Sequence, residues 1–297
     1  MTPRVGEIHE DYLARKREYD KKVRDNFKFA GSAAIELKAR RLLSIEDGVV
    51  VIASDAHYWP GDPSTAHRAL IKIIKQLEPA AVIINGDTLD GASISRWGVG
   101  SEVEFRARPS VVEELAVCQQ RMREIANAAP QAARYWPFGN HDARFETFLM
   151  RAAPEFAGVM GTRLKDHFDN WTPCWSVWIN SDGPTPVVIK HRFRGGIHAT
   201  YNNTLHSGLT MVTGHLHSLN VNAFSDYRGV RWGVDSGTLA VPYDRPFIHY
   251  TEDNPVNWRS GFVVLTFRHG RLLWPELVYV INEVDGLIGF RGEVLEV

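Results

Sequence analysis

Three short runs of buried-strand character, residues 49–54, 81–85 and 134–138, alternate with two helical stripes, and this alternation restricts the chain more than any other feature. Ala66, Leu70, Ile73 and Leu77 recur at helical spacing before Pro79, and Val111, Leu115, Cys118, Met122 and Ile125 do so before Pro130. Asp62-Pro63 reads as an N-cap followed by proline at the first helical position. The order β-α-β-α-β predicts a parallel sheet with right-handed crossovers, whose ligand sites lie at the carboxyl ends of the strands. Beyond residue 170 the signals are strand-like. Trp175, Val177 and Ile179 alternate, and further strands are expected over 187–190, 210–213, 221–224, 231–234, 262–267 and 272–280, with His269-Gly270 as the turn of the last hairpin.

The N-terminal stretch reads differently. Tyr12, Tyr19, Val23, Phe27 and Ala30 form one stripe of an amphipathic helix, Gly31-Ser32 interrupts it, and residues 35–43 are expected to continue as a second helix. Residues 11–41 carry ten Lys/Arg and five Asp/Glu, whereas the whole 297-residue chain has a net charge of -1. The remainder is therefore acidic by about six charges, which disfavours a globally basic nucleic-acid binder and leaves room for a local basic arm. These helices are expected to present a solvated face or to bring two copies of the chain together. The predicted organisation is a helical extension over 1–46 and one domain over 47–297.

Composition excludes other classes. At 44% hydrophobic and 23% charged residues the chain is of globular type. Its apolar runs are too short to span a bilayer, and residues 1–10 have no apolar core of a secretory signal. Two cysteines, Cys118 and Cys174, cannot build a disulfide framework or a thiolate zinc site. A cytoplasmic protein is expected.

The chemistry concentrates where strands end. Residues 49–54 run into Asp55-Ala56-His57, residues 81–85 into Gly86-Asp87-Thr88-Leu89-Asp90, and residues 134–138 into Gly139-Asn140-His141-Asp142. Later, residues 187–190 meet His191, and 210–213 meet Gly214-His215-Leu216-His217. Residues two apart on an extended chain project to the same side, so Asp55/His57 and His215/His217 are natural paired ligands. The glycines at 86, 139 and 214 let the backbone approach an ion or phosphate closely. Oxygen and imidazole donors without thiolate suit Mn²⁺, Fe, Zn²⁺ or Ni²⁺ alike. Any one of these elements is ordinary turn chemistry. Five in order are not.

The blocks together resemble the calcineurin-like metallophosphoesterase family, of the phage and bacterial type. The resemblance implies a four-layer α/β/β/α sandwich with two divalent metals, Mn²⁺ first among the candidates. It implies Asp55, His57, Asp87 and His217 around one metal and Asp87, Asn140, His191 and His215 around the other, with Asp87 bridging. His141 would protonate the leaving group and Asp90 would orient it. His191 follows an apolar strand directly, as the family pattern asks, and is preferred over His198, which lies past Gly195-Gly196. Gly91 departs from the arginine found there in many phosphoprotein phosphatases, which leaves Arg96, Arg144 and Arg192 as candidates for phosphate binding. The activity implied is hydrolysis of phosphate esters by water that two metals activate, acting on a phosphodiester, nucleotide or nucleic acid. A small-molecule phosphomonoesterase is the alternative, and a non-catalytic scaffold of the same fold is disfavoured by the complete ligand set. The place of action would be the cytoplasm, that of the host if the chain is phage-encoded.

Overall fold

Alternating β-branched runs dictate strands, and in the computed structural model they pair into two sheets. The structure describes residues 39–95, 108–243 and 254–297, with separate helical positions between 11 and 21. It divides into two units, Met1–Leu37 and Lys38–Val297, and the second carries the fold. Most of the basic N-terminal stretch lies outside the described residues, so the expected role of its helices does too.

In chain order the larger unit begins with Arg41–Leu43 (β1), Gly48–Ala53 (β2), Thr65–Leu77 (α1), Ala81–Ile84 (β3), Val111–Ala128 (α2), Ala133–Pro137 (β4), Asp142–Ala152 (α3) and Thr172–Cys174 (β5). Next come Val177–Ile179 (β6), Val187–Ile189 (β7), Ala199–Ser207 (α4), Thr210–Thr213 (β8), Asn220–Asp226 (β9) and Gly229–Asp235 (β10). Gly261–Arg268 (β11), Arg271–Leu272 (β12), Glu276–Asn282 (β13), Leu287–Phe290 (β14) and Glu293–Glu296 (β15) follow. One sheet has the order β15-β14-β13-β11-β2-β3-β4-β5, with β12 beside β11. Within it β2 to β5 are parallel, and β11 lies antiparallel to β2. The other sheet has the order β1-β6-β7-β8-β10-β9 and is parallel from β7 through β8 to β10.

The sheets share one apolar core. Val50, Ile52, Ile83, Val263 and Leu265 of the first pack in the same cluster as Val177, Ile189, Val212 and Val234 of the second. Val51 and Ile84, on the opposite side of the pleat, are equally buried. The buried residues of α1, including Leu70, Ile73 and Ile74, account for that, because α1 packs against β2, β11, β13 and β14. Strands buried on both faces read as continuous apolar runs, which is why β2 and β3 were legible. On the other sheet α4 packs on β8, β9 and β10. Mixed sheets face each other with helices outside, the α/β/β/α arrangement that the resemblance implies.

Three local expectations are corrected. The segment 35–43 ends in a strand, not a helix: Arg41–Leu43 pairs in parallel with Val177–Ile179. Its cause is tertiary, since Leu43 packs on the core while Leu42 is exposed, and three residues are too few to show a period of two. The cap of α1 is Ser64 rather than Asp62, because the Ser64 hydroxyl accepts the His67 N–H at 3.1 Å. His269 and Gly270, with φ of 51° and 69°, do form a left-handed turn, but it joins β11 to β12, and two more hairpins follow.

Candidate metal centre

A strand that must turn at once to aim a ligand inward takes a left-handed residue there. Asp55, His57, Asp87, His215 and His217 all have positive φ, between 41° and 74°. For side chains other than glycine such conformations cost roughly 1–3 kcal/mol each and persist only where the surroundings impose them. The loops are tied together as well. Asp55 N–H donates to the Gly86 carbonyl, and Gly214 N–H to the His191 carbonyl, both at 2.9 Å. Gly139 and Gly214 are required by close approach: a Cβ would fall 2.0 Å from Asp87 Oδ1 and 2.4 Å from Asp55 Oδ2, respectively. What these glycines admit is thus the carboxylates of neighbouring strand ends.

The side chains meet in three groups, Asp55/His57/His217, Asp87/His191/His215 and His57/Asp90/His141, each with ligand atoms within 4.8 Å of one another. Asp55 Oδ1 lies 3.1 Å from His217 Nε2, and Asp87 Oδ2 lies 3.1 Å from His191 Nε2. The first two groups adjoin, since His191 Nε2 is 4.0 Å from Asp55 Oδ1. His191 is buried and belongs to this set, whereas His198 is exposed and belongs to none of the groups. The His191 Nδ1–H donates to the Asn85 carbonyl at 2.8 Å and so turns Nε2 inward.

Electrostatics favour a cation here. Burial opposes charge on Asp55 and Asp87, yet His217 and His191 around the first, and His191 and His141 around the second, hold both carboxyls below the usual range. Burial likewise opposes protonation of His191, but Asp87 and Asp55 overcome it and raise its pKa well above the ordinary imidazole value. A divalent cation would take the place of that proton. The donor set fits: His191 Nε2 and Asn140 Oδ1 are buried without a hydrogen-bond partner among the described residues. With that proton replaced, His191 Nε2 and Asp87 Oδ2, 3.1 Å apart, would present lone pairs to one point.

Asp90 and His141 form the third element. Asp90 Oδ1 is 3.0 Å from His57 Nδ1 and 3.1 Å from His141 Nδ1, and its carbonyl accepts from His141 Nδ1 at 2.8 Å. Burial disfavours its charge, but the hydrogen bonds from His141 and His57 hold its carboxyl far below the usual range. Arg144 donates through Nη1 to the Asp90 carbonyl at 2.8 Å and through Nη2 to His141 Nε2 at 3.0 Å. Its shaft runs beside Gly91, whose added Cβ would meet Arg144 Cδ at 3.4 Å. Arg192 is exposed; burial, His191 and more weakly Arg192 depress the pKa of His215. Arg96 lies outside the described residues.

Three residues of the site were not given roles from sequence. Asp142 is buried and accepts four backbone N–H groups, from Gly139 and Asp87 at 2.9 Å, Thr88 at 3.0 Å and Leu89 at 3.3 Å. Its neighbours in sequence advertise ligands, but nothing local says that it holds another strand's loop. Glu114, buried on α2, accepts from Gly91 and Ala92 at 2.9 and 3.1 Å and fixes the turn after Asp90. The Trp258 ring packs 4.6 Å from that of His217, with no signal in the sequence to link them. Asp142→Ala should strand four buried donors and cost on the order of 3–5 kcal/mol, with loss of metal affinity. Denaturant unfolding and metal titration of the variant check this; an unchanged unfolding midpoint would show that the loop holds itself.

A metal-free centre also concentrates backbone strain and buried carboxylates. Saturation at about 100 times Kd stabilises a folded protein by roughly 2.7 kcal/mol. Chelation is therefore expected to lower Tm by ~5–10 °C. Calorimetry with and without EDTA reads it, and an unchanged Tm would count against a bound metal.

The sequence profile described as calcineurin-like phosphoesterase matches residues 48–235. The Gene 54 protein of Mycobacterium phage L5 is 26% identical over 273 residues, covering 84% of this chain and 98% of that protein. The Gene 54 protein of Mycobacterium phage D29 is 27% identical over 279 residues with the same coverage. Among solved structures, wild-type Vps29 complexed with Zn²⁺ from Entamoeba histolytica aligns over 83% of this chain and 98% of that chain, with a TM-score of 0.42 and 11% identity.

Proposed function

Since the chain belongs to the calcineurin-like phosphoesterase family, a family of metal-dependent hydrolases of phosphate esters, we infer that it is a phosphodiesterase working at a two-metal centre. Asp55, His57, Asp87 and His217 hold one divalent cation, and Asp87, Asn140, His191 and His215 hold the other. Asp87 belongs to both. The observation that carries this is the pair of carboxylate–imidazole contacts at 3.1 Å, which a 4.0 Å approach of His191 to Asp55 joins into one centre. When bound, two divalent ions lower the pKa of a water and neutralise charge on phosphoryl oxygens. Manganese suits this oxygen-and-imidazole set, as do iron, zinc and nickel.

The chain's own groups do the rest. Asp90 holds His141 through Nδ1, and Nε2 stands 3.9 Å from Asp87 Oδ2; with a proton on Nε2 in place of the Arg144 hydrogen bond, His141 would protonate the departing oxygen. Arg144 reaches that same Nε2 and brings a guanidinium to where phosphoryl charge collects. With its shaft beside Gly91, it supplies the phosphate-binding cation that position 91 lacks. The diester reading is supported by the cationic Arg192 at the exposed rim beside His191 and His215. The phage relatives support action in a host cytoplasm, and no helix among the described residues is long and apolar enough to cross a membrane.

The test is hydrolysis of chromogenic phosphate mono- and diesters with Mn²⁺ and after chelation. Metal-dependent turnover with the diester preferred is expected. A preference for monoesters would overturn the diester reading, and no turnover with Mn²⁺, Fe²⁺, Zn²⁺ or Ni²⁺ would make the fold a scaffold.

A further inference from the structure

The chain leaves β7 through His191 and then exposes seven consecutive residues, 192–198, before α4 begins. Most exposed loops of that length are polar. This one presents Phe193, 43% exposed, between Arg192 and Arg194, and Ile197, 88% exposed. Lys190 Nζ and Arg194 Cζ each lie 5.5 Å from the centre of the Phe193 ring, within cation–π range. The backbone beneath is anchored. Arg194 N–H donates to Oδ1 of the buried Asn203 at 2.9 Å, and Ala199 N–H to the Gly196 carbonyl at 3.0 Å. The loop is a held platform at the rim of the metal centre, contiguous with a ligand.

Resting on the phosphodiesterase reading above, we propose that this loop binds single-stranded nucleic acid. Phe193 stacks a base, and Lys190, Arg192 and Arg194 pair with phosphates on either side of it. Aromatic stacking of this kind needs an unpaired base, and cations around the ring need an anionic backbone. Outside residues 11–41 the chain is net acidic, so this cluster is a local exception with three cations. Tight duplex binding usually engages about 6–10 phosphates, more than such a patch can serve. A strand threaded past the rim presents a phosphodiester to the metals and an unpaired base to the loop, which follows the ligand His191 directly.

The experiment measures binding of a short nuclease-resistant phosphorothioate oligothymidylate by fluorescence anisotropy over a range of salt, together with turnover of bis(p-nitrophenyl) phosphate. Phe193→Ala should weaken oligonucleotide binding about 5- to 150-fold without changing its salt slope. Arg194→Ala keeps the backbone contact to Asn203 and should reduce the slope of log K against log salt by about 0.7. Both variants should turn over the small diester like the wild type, which also shows that they fold. Unchanged oligonucleotide binding in both variants, with small-diester turnover intact, would overturn the proposal and leave the phosphodiesterase reading standing. Equal dependence of a duplex on Phe193 would overturn the single-strand assignment. Absence of small-diester turnover in the wild type would instead remove the reading on which the proposal rests.

Discussion

Asp87→Asn is expected to strip both metals from the centre and to lower kcat/KM by at least ~10³-fold, the worth of several kcal/mol of metal-ion catalysis. Asp87 alone is assigned to both ions. In the structure Oδ1 accepts the His141 N–H at 2.7 Å while Oδ2 faces His191 Nε2 at 3.1 Å. An asparagine has one oxygen for those two duties. If the oxygen keeps the His141 N–H, the amide nitrogen points into the ion's position with hydrogens instead of lone pairs. If it turns the other way, the His141 N–H loses its acceptor. The charge that balances two cations is lost either way. Asp55→Asn, by contrast, should chiefly reduce occupancy of one site. Elemental analysis of the purified variants decides it, and two ions retained per chain in Asp87→Asn would rule out the bridging assignment.

His141→Gln should separate chemistry from metal binding. As proton donor His141 matters most when the leaving group is an alkoxide of high pKa, where general acid catalysis contributes roughly 10²–10⁴-fold. A p-nitrophenolate hardly needs a proton. The variant is therefore expected to lose about that factor on alkyl esters, to lose far less on aryl esters, and to keep its metals. Paired kcat/KM values with metal analysis of the same preparations read the result. Equal losses on both esters would mean that His141, with Arg144 at its Nε2, stabilises phosphoryl oxygens instead. Loss of metal would make it a ligand. Burial works against a proton on His141, but Asp87 and the Asp90 hydrogen bond raise its pKa above the ordinary value.

Much of this architecture was open to reading in the sequence because it is encoded locally. Residues 49–53 and 81–84 are apolar on both faces, so a strand is the simplest account, and Leu70 and Ile73 mark a helix by spacing alone. The ligand-bearing turns follow those runs directly, and each is a local word: Asp55 with His57, Asp87 with Asp90, His215 with His217. Their order along the chain carried the resemblance, and the family match over 48–235 agrees with it.

What the sequence could not determine is which distant groups face each other. β1 exists because Leu43 finds the core and its strand pairs with Val177–Ile179, more than a hundred positions away, and no period can announce a three-residue strand. Asp142 reads as one more acidic residue in a ligand motif until the fold brings the N–H groups of residues 87–89 onto its oxygens. Trp258 meets His217 where the chain before β11 is held against it, the Arg259 N–H donating to the His217 carbonyl at 2.7 Å. Nothing local in the sequence shows that Arg144 reaches the Asp90 carbonyl and His141 Nε2; that contact belongs to the fold. Sequence patterning determined the elements and the chemistry at their ends, since both depend on neighbours along the chain. Tertiary structure decided the partners, because register between sheets and the left-handed turns at Asp55, Asp87 and His215 set where each side chain points, and those are properties of the assembled core.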